Sequence, residues 1–340
     1  MGQLIAASAP TRIDFAGGTL DIPPLYLFHQ PAMTVNVAID LPATVEIRRR
    51  PGRAIRLVSI DQRRRLDWSS RDRITWTRAP FLELTARLIK TLAPDVGLEI
   101  TTRCVAPAGA GIGGSSALAV AAVAALTTAA GARWSKTTLI EVARGIETQA
   151  IHVPTGYQDY YAAAYGGASA IEFGLGGIRR TSVGSKSFLA DLERHLLLLY
   201  VGAPRFSGAN NWELFKQHVD GDKRTVRLFE ALSQNAVSMR DAFLRRDLPT
   251  IAELLNGDWE ARRRALPAMS TPAIDRLIRA LRRRGALGAR VCGAGGGGCL
   301  AVLIKPDTRA HLAALAHSSG AKVLPCALDT RGVVVRRTEG

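Results

Sequence analysis

Residues 107–117 read PAGAGIGGSSA and run directly into LAVAAVAALTTAAGA. A glycine-rich loop feeding an alanine-rich helix former constrains this chain more than any other stretch. The first N–H groups of a helix have no internal partner, and the helix dipole is positive there, so such a loop is suited to hold an anion. Two phosphate loops do not fit. A P-loop needs a lysine ahead of its Ser or Thr, and Gly114 precedes Ser115 here. Gly109, Gly111 and Gly114 satisfy the spacing of a dinucleotide fingerprint. That motif also requires an acid roughly 20 residues on, where this chain reads GARWSK. In GLEITTRCVAP, ahead of the loop, Leu98, Ile100 and Cys104 alternate with Glu99, Thr101 and Arg103. This is the period of a strand with one solvated face, whereas the first strand of a dinucleotide fold is buried on both. A different nucleotide-binding loop remains.

At 340 residues the chain is too long for one small core, and two domains are expected. Its longest apolar stretch, Ala117 to Ala130, falls short of the roughly 20 residues that span a bilayer. The N-terminus has no basic region ahead of an apolar segment, so no membrane partner is expected and the location reads as cytoplasmic. The four cysteines lack C-x-x-C spacing and the histidines are scattered, which predicts free thiols rather than zinc sites or disulfides. A net charge of +16 arises largely from arginine runs at 48–50, 63–65, 262–264 and 282–284. These read as solvated faces that suit anionic substrates. No aromatic RNA platform or zinc finger accompanies them, so nucleic acid is not expected as a partner despite the charge.

Periodicity predicts strands in TVNVAID and ATVEIRR, separated by Pro42, and another over Arg71 to Trp76. Helices are predicted over Phe81 to Leu92, Thr137 to Ala150, and within YQDYYAAAYGG, where glycine closes the helix. The glycine-rich, polar stretch at 174–186 marks a change of texture, giving domains of residues 1–185 and 186–340. The second opens with the strand HLLLLYVG and continues in charged helices to Arg284. Strand, glycine loop and strand follow in ARVCGAGGGGCLAVLI, then a helix from about Asp307 to Ser318 and strands in the tail.

Four separated elements can be read as one site. Ser115 and Ser116 begin the helix after the glycine loop, where a hydroxyl can ligate a magnesium ion bridging phosphates. Glu147 ends the amphipathic helix, and Asp159 follows past a breaker, HVPTG, that can bend the chain back beside it. In APTRIDFAGGTLDIPP, Arg12 lies in a strand ahead of a Gly17-Gly18 turn, with Asp21 just beyond.

Three stretches, APTRIDFAGGTLDIPPLY, PAGAGIGGSSALAVA and VCGAGGGGCLAVLI, occur in the order found in the GHMP kinases, and together the chain resembles that family. TLDIPPLY, TGYQDYYAAAYGG and DWEARRRALPAMSTPAID narrow the resemblance to its sugar kinases that act on heptose 7-phosphates, with fucose kinases as near relatives. GGTLD stands where that group has GGGTD, and Tyr160 where it commonly has glutamine.

The resemblance implies a two-domain α+β fold, with an N-terminal domain like a ribosomal-protein fold, a ferredoxin-like C-terminal domain, and an active site between them. It implies an enzyme that uses ATP and Mg2+ to phosphorylate a small-molecule sugar. The anomeric hydroxyl of a heptose 7-phosphate is the first choice of acceptor. A neutral sugar such as fucose, a mevalonate-type acceptor, or a non-catalytic sugar- or nucleic-acid-binding relative are the alternatives.

Pro107, Gly109, Gly111, Ile112, Gly113, Gly114, Ser115 and Ser116 would wrap the triphosphate, with glycine needed where a Cβ would block the approach. Ser115 and Glu147 would hold the metal; Asp159 would accept or orient the proton of the attacking hydroxyl. Arg12 would sit beside it, keeping it ionised and stabilising charge on the transferring oxygens. Gly18, Thr19, Asp21 and Gln158 would contact the sugar, and Arg205, with Asn210 nearby, is a candidate for a second substrate phosphate. Gly295 and Gly296 belong either to a tight hairpin or to the nucleotide site.

Overall fold

The computed structural model describes residues 4–77, 79–202 and 209–338. Strand β1 (Leu4–Ala16) alternates in burial up to Ser8 and is buried throughout from Ala9. Past that point both of its faces are covered. A four-residue helix, α1 (Leu25–Phe28), leads to β2, which runs unbroken over Ala32–Arg50. Two strands separated by Pro42 were expected there. Ile39 pairs with Thr11 and Ala43 with Ala9, so three residues of β2 bulge opposite Pro10. A proline without an N–H is tolerated at such a bulge. The Thr11 hydroxyl donates to the Leu41 carbonyl at 3.0 Å and steadies it. The length of β2 lets its first part pair with the strand over Ala168–Gly174 and its second with the strand over Gly97–Cys104.

A hairpin of β3 (Ile55–Ser59) and β4 (Arg64–Trp68) forms the sheet edge, and the arginines of β4 face solvent. The strand expected over Arg71 to Trp76 is absent. A 3-10 turn covers Arg71–Arg73, and of these residues only Ile74 is buried, so there is no period of two to sustain a strand. Helix α2 (Glu83–Leu92), strand β5 (Gly97–Cys104), helices α3 (Gly114–Ala129), α4 (Lys136–Ile151) and α5 (Gln158–Tyr165), and the hairpin β6 (Ala168–Gly174) and β7 (Gly177–Ser182) complete this part. Helix α3 is apolar nearly all round and passes between the sheet and α2 and α4, the placement such a helix requires.

The second half runs α6 (Lys186–His195), β8 (Leu196–Tyr200), α7 (Ala209–Val219), α8 (Lys223–Arg245), α9 (Leu248–Ala265), α10 (Pro272–Arg283), β9 (Gly288–Val291), β10 (Cys299–Leu303), α11 (Arg309–Ser318), β11 (Lys322–Leu324) and β12 (Val334–Thr338). Strands β11, β8, β10 and β9 form a second sheet in that order. Helix α8 packs on β1 and β2, and one apolar cluster joins Ile13 and Val35 of the first sheet to Leu198 and Ala301 of the second. The architecture is the two-domain α+β arrangement expected, with one difference. Strand β12, in the range assigned to the second domain, pairs antiparallel with β1 from Leu4 to Ser8 and extends the first sheet. The alternating outer part of β1 leaves an edge of backbone donors and acceptors that the chain's last strand fills.

No helix among the described residues is long and apolar enough to cross a membrane. The four cysteines are free.

Deleting residues 333–340 should therefore lower the thermal midpoint by about 3 °C, the shift that a loss of about 2 kcal/mol gives in a chain this large. Calorimetry checks this, and an unchanged midpoint would show that β12 adds nothing to the first sheet.

Candidate active site

Strand β5 delivers the chain into the glycine loop, which borders a cavity of about 520 Å³. Gly109, Gly111 and Gly113 all take positive φ, and Gly113 caps α3 with no side chain bonding to the helix's first amides. The amides of Gly114, Ser115 and Ser116 are thus without intrahelical partners, and all three residues border the cavity. A second glycine loop, between β9 and β10, lies against the first: a Cβ on Gly111 would stand 2.6 Å from the Cys292 carbonyl oxygen, and one on Gly298 would stand 2.6 Å from that of Ala110. The Cys299 amide donates to Ala110 O at 2.7 Å. Gly293 and Ala294 border the cavity. Gly295 and Gly296 do not; they turn against Met269, whose carbonyl accepts from the Gly296 amide at 2.7 Å. The Ile112 side chain lies in the core, and its carbonyl accepts from the Arg12 amide at 3.0 Å.

Asp159, in the first turn of α5, reaches under the loop, close enough that a Cβ on Gly113 would stand 3.1 Å from its carboxylate. Arg12 Nε donates to Asp159 Oδ1 at 2.7 Å, and Nη1 donates to the Gly111 carbonyl at 2.6 Å. Burial alone would lower the Arg12 pKa, but Asp159 and Asp14 outweigh it, and the guanidinium is held firmly charged. Asp159 is 25% exposed while Arg12 is buried, so the carboxylate is the member of the pair open to the cavity.

Helix α4, capped by Ser135, ends at His152 in a left-handed turn, and the chain returns through Pro154 into α5. This return brings Glu147 and Asp159 to the same cavity. Glu147 is 3% exposed. Burial raises its pKa, against hydrogen bonds from Ser115, Tyr160 and Ser116 that favour the charged form. Tyr160 donates to Glu147 Oε2 at 2.7 Å. A buried carboxylate beside two serine hydroxyls is a hard oxygen set that suits magnesium. Among the described residues no cluster of three or more His, Cys, Asp and Glu could hold a metal alone. Magnesium in such sites takes one or two protein oxygens and fills the rest from phosphate and water.

Behind Arg12 runs a line of buried charges that was not foreseen. Asp14 Oδ2 accepts from Arg290 Nη2 at 2.6 Å, Arg290 Nη1 lies 2.8 Å from Asp258 Oδ2, and Arg262 Nε donates to that same oxygen at 2.8 Å. Burial would raise the Asp14 pKa, but Arg290, Arg12 and Arg262 lower it. Arg262 then donates to the Gly18 carbonyl and to Thr19 Oγ1. The arginine run at 262–264 was expected to be a solvated face; Arg262 is instead buried, because it faces Asp258 one turn earlier on α9. The available signal was a charge inside an otherwise apolar strand, Asp14 in IDFA and Arg290 in GARVC.

The acceptor-side residues divide. Gly18, Thr19, Asp21 and Gln158 border the cavity. Asp21 Oδ2 accepts from the amides of Tyr157 and Gln158 at 2.7 and 2.9 Å, and so caps the helix that carries Asp159. Arg205 lies outside the described residues. Asn210 donates to the Ala294 carbonyl at 2.8 Å, tying α7 to the second glycine loop.

Two family models match the chain, the GHMP kinases N terminal domain over residues 81–167 and the GHMP kinases C terminal domain over residues 239–322, together about half its length. A D-glycero-alpha-D-manno-heptose 7-phosphate kinase of Campylobacter jejuni is 25% identical over 91% of this chain and 92% of its own. The L-fucokinase/L-fucose-1-P guanylyltransferase of Bacteroides fragilis is 25% identical over 99% of this chain and 39% of its own. A crystal structure of a D-glycero-D-manno-heptose 1-phosphate kinase from Bacteroides thetaiotaomicron superposes with a TM-score of 0.79 at 20% identity, covering 99% of this chain and 100% of that one.

Burial pushes the Asp21 pKa up to about 6, against the amide hydrogen bonds it accepts. The folded protein keeps this proton where the unfolded chain has lost it. That contribution to stability is full below pH about 4 and lost above about 6. Asp21→Asn keeps an oxygen for the two amides and cannot titrate. Its stability relative to wild type should rise by about 2 kcal/mol between pH 4 and 7, each pKa unit corresponding to about 1.4 kcal/mol and the unfolded carboxylate being already partly ionised at pH 4. Urea denaturation at both pH values measures this; an equal difference at the two would remove Asp21 as the titrating group.

Proposed function

Because this chain belongs to the GHMP kinases, phosphotransferases that act on hydroxyl groups, we propose that it transfers the γ-phosphoryl group of ATP, with magnesium, to a sugar hydroxyl. The acceptor we propose first is the anomeric hydroxyl of a heptose 7-phosphate. The observation that carries the reading is the 2.7 Å Arg12–Asp159 pair, which opens onto the same cavity as Glu147 and the amino end of α3. The Campylobacter jejuni relative, matched over 91% of this chain, supports the choice of acceptor.

In this reading the loop amides and the α3 N-terminus bind the triphosphate, and Glu147 with Ser115 would hold the metal. Magnesium supplies charge neutralisation on the phosphoryl oxygens. Asp159 takes or directs the proton of the attacking hydroxyl. Arg12 holds that carboxylate in place through the 2.7 Å Nε–Oδ1 contact and stabilises charge on the transferring group. Phosphoryl transfer leaves little covalent work for the protein, so positioning and charge carry the rate. ATP as donor places the reaction, in our reading, in the cytoplasm.

A neutral sugar such as fucose is the second reading. Among the described residues bordering the cavity, Arg12 is the single basic side chain, and it is committed to Asp159.

A panel of phosphorylated and unphosphorylated sugars, assayed for ADP release with ATP and magnesium, tests both readings. Turnover with a heptose 7-phosphate above all others is expected; background rates throughout would end the sugar assignment. Asp159→Asn should lower kcat by roughly 10²–10⁴ if Asp159 is a general base. Full turnover by that variant would remove Asp159 from the chemistry.

A further inference from the structure

Thr19 takes a left-handed backbone conformation, φ +79°, one that threonine rarely adopts. Its hydroxyl oxygen lies 3.3 Å from Arg262 Nη1 and 2.9 Å from Asn211 Oδ1. A guanidinium has donors and no acceptor, so the Thr19 oxygen accepts from Arg262. The hydroxyl hydrogen is left to donate, and the Asn211 amide is the neighbour that can take it, through its carbonyl oxygen. The reverse amide orientation would strand that hydrogen on a side chain 3% exposed, at the cost of an unmade buried hydrogen bond. The run of charges therefore settles which way Asn211 faces: Oδ1 to Thr19, and both Nδ2 hydrogens available to the cavity that Asn211 borders.

A second observation comes from the same end of the cavity. Gln158 is 7% exposed and borders the cavity, yet its Oε1 has no hydrogen-bond partner. A Cβ on Gly18, the residue before Thr19, would stand 2.9 Å from Gln158 Nε2, so Gln158 lies against the same turn that Asn211 meets at Thr19. One offers a donor and the other an unfilled acceptor. A hydroxyl group can serve both, since it donates and accepts, whereas an ionised phosphoryl oxygen accepts only.

We propose that Asn211 is a specificity-determining residue that donates through Nδ2 to a hydroxyl of the acceptor substrate, that this hydroxyl donates to Gln158 Oε1, and that Arg262 and Thr19 are positioning residues that aim the Asn211 amide. The proposal deepens the kinase reading and rests on it. It assigns α7, an element of the second half, a direct part in choosing the acceptor.

The test uses the full chain with Asn211→Ala, Thr19→Val and the double variant. The acceptor is the best member of the sugar panel, or mevalonate if no sugar is turned over. KM and kcat for the acceptor are measured beside the dissociation constant for magnesium and AMP-PNP by calorimetry. Asn211→Ala should raise the acceptor KM roughly tenfold, the effect of one lost hydrogen bond, with nucleotide affinity unchanged. Asn211→Asp, equal in shape but without the donor, should raise it as much. Thr19→Val leaves the buried charges intact and should also raise KM, and the double variant should add little, because both act through one contact. An unchanged KM in Asn211→Ala overturns the contact, and additive effects overturn the positioning by Thr19. Loss of nucleotide affinity in either single variant would mean a disturbed fold and would also count against the proposal. A wild type that turns over mevalonate and no sugar ends the sugar reading while leaving the Asn211 comparison intact. A wild type that turns over neither ends both.

Discussion

Six buried or half-buried charges, Asp159, Arg12, Asp14, Arg290, Asp258 and Arg262, alternate in sign from the proposed base to the Gly18–Thr19 turn. At this depth the cost of desolvation largely cancels mutual attraction, and well-packed apolar replacements of a whole pair are often as stable. What the charges provide is direction. Each arginine carries a planar fork of donors and no acceptor, so every group it meets is told which of its atoms must face inward. Losing one member is different from replacing the set. Without Arg290, the carboxylates of Asp14 and Asp258 would share a dry interior with one cation fewer, a defect worth about 3–5 kcal/mol.

The same line joins the halves of the molecule. Arg12 and Asp14 belong to β1, Arg290 to β9, and Asp258 and Arg262 to α9. The glycine loops repeat the junction in backbone form, with Cys299 bonded to Ala110 and no room for a Cβ on Gly111 or Gly298. A cleft between freely hinged units would leave both contacts intermittent. Here the second glycine loop serves as a floor for the first, and the proposed anion loop is held from beneath by peptide groups rather than by side chains.

Much of this was legible in the linear text, and for physical reasons. The glycine loop, the alanine-rich helix and the amphipathic α4 are local patterns, and Arg12, Ser115, Glu147 and Asp159 stand in stretches whose order carries the family likeness. They meet at one cavity. The misreadings share a cause, in that tertiary partners overrode local rules. Pro42 breaks strands in isolation, but a bulge opposite Pro10 absorbs it. Arg262 belongs to a run that looks solvated, yet Asp258 on its own helix and Thr19 from the other half draw it inside. Asp21, read as a ligand for sugar hydroxyls, does border the cavity; what the local text does not show is that one of its oxygens also caps α5. Asn211 carries no local signal at all, since its orientation is decided by residues far away in sequence.

Strand β12 lies beside β1 although more than 300 residues separate Ser8 from its partner Val334. During synthesis, at roughly 5–20 residues per second, the outer edge of the first sheet must wait for its neighbour until the second sheet has emerged from the ribosome. The first half therefore cannot mature as a finished unit ahead of the rest. Its exposed edge is a window for mispairing or chaperone capture, and it closes when the late segment arrives.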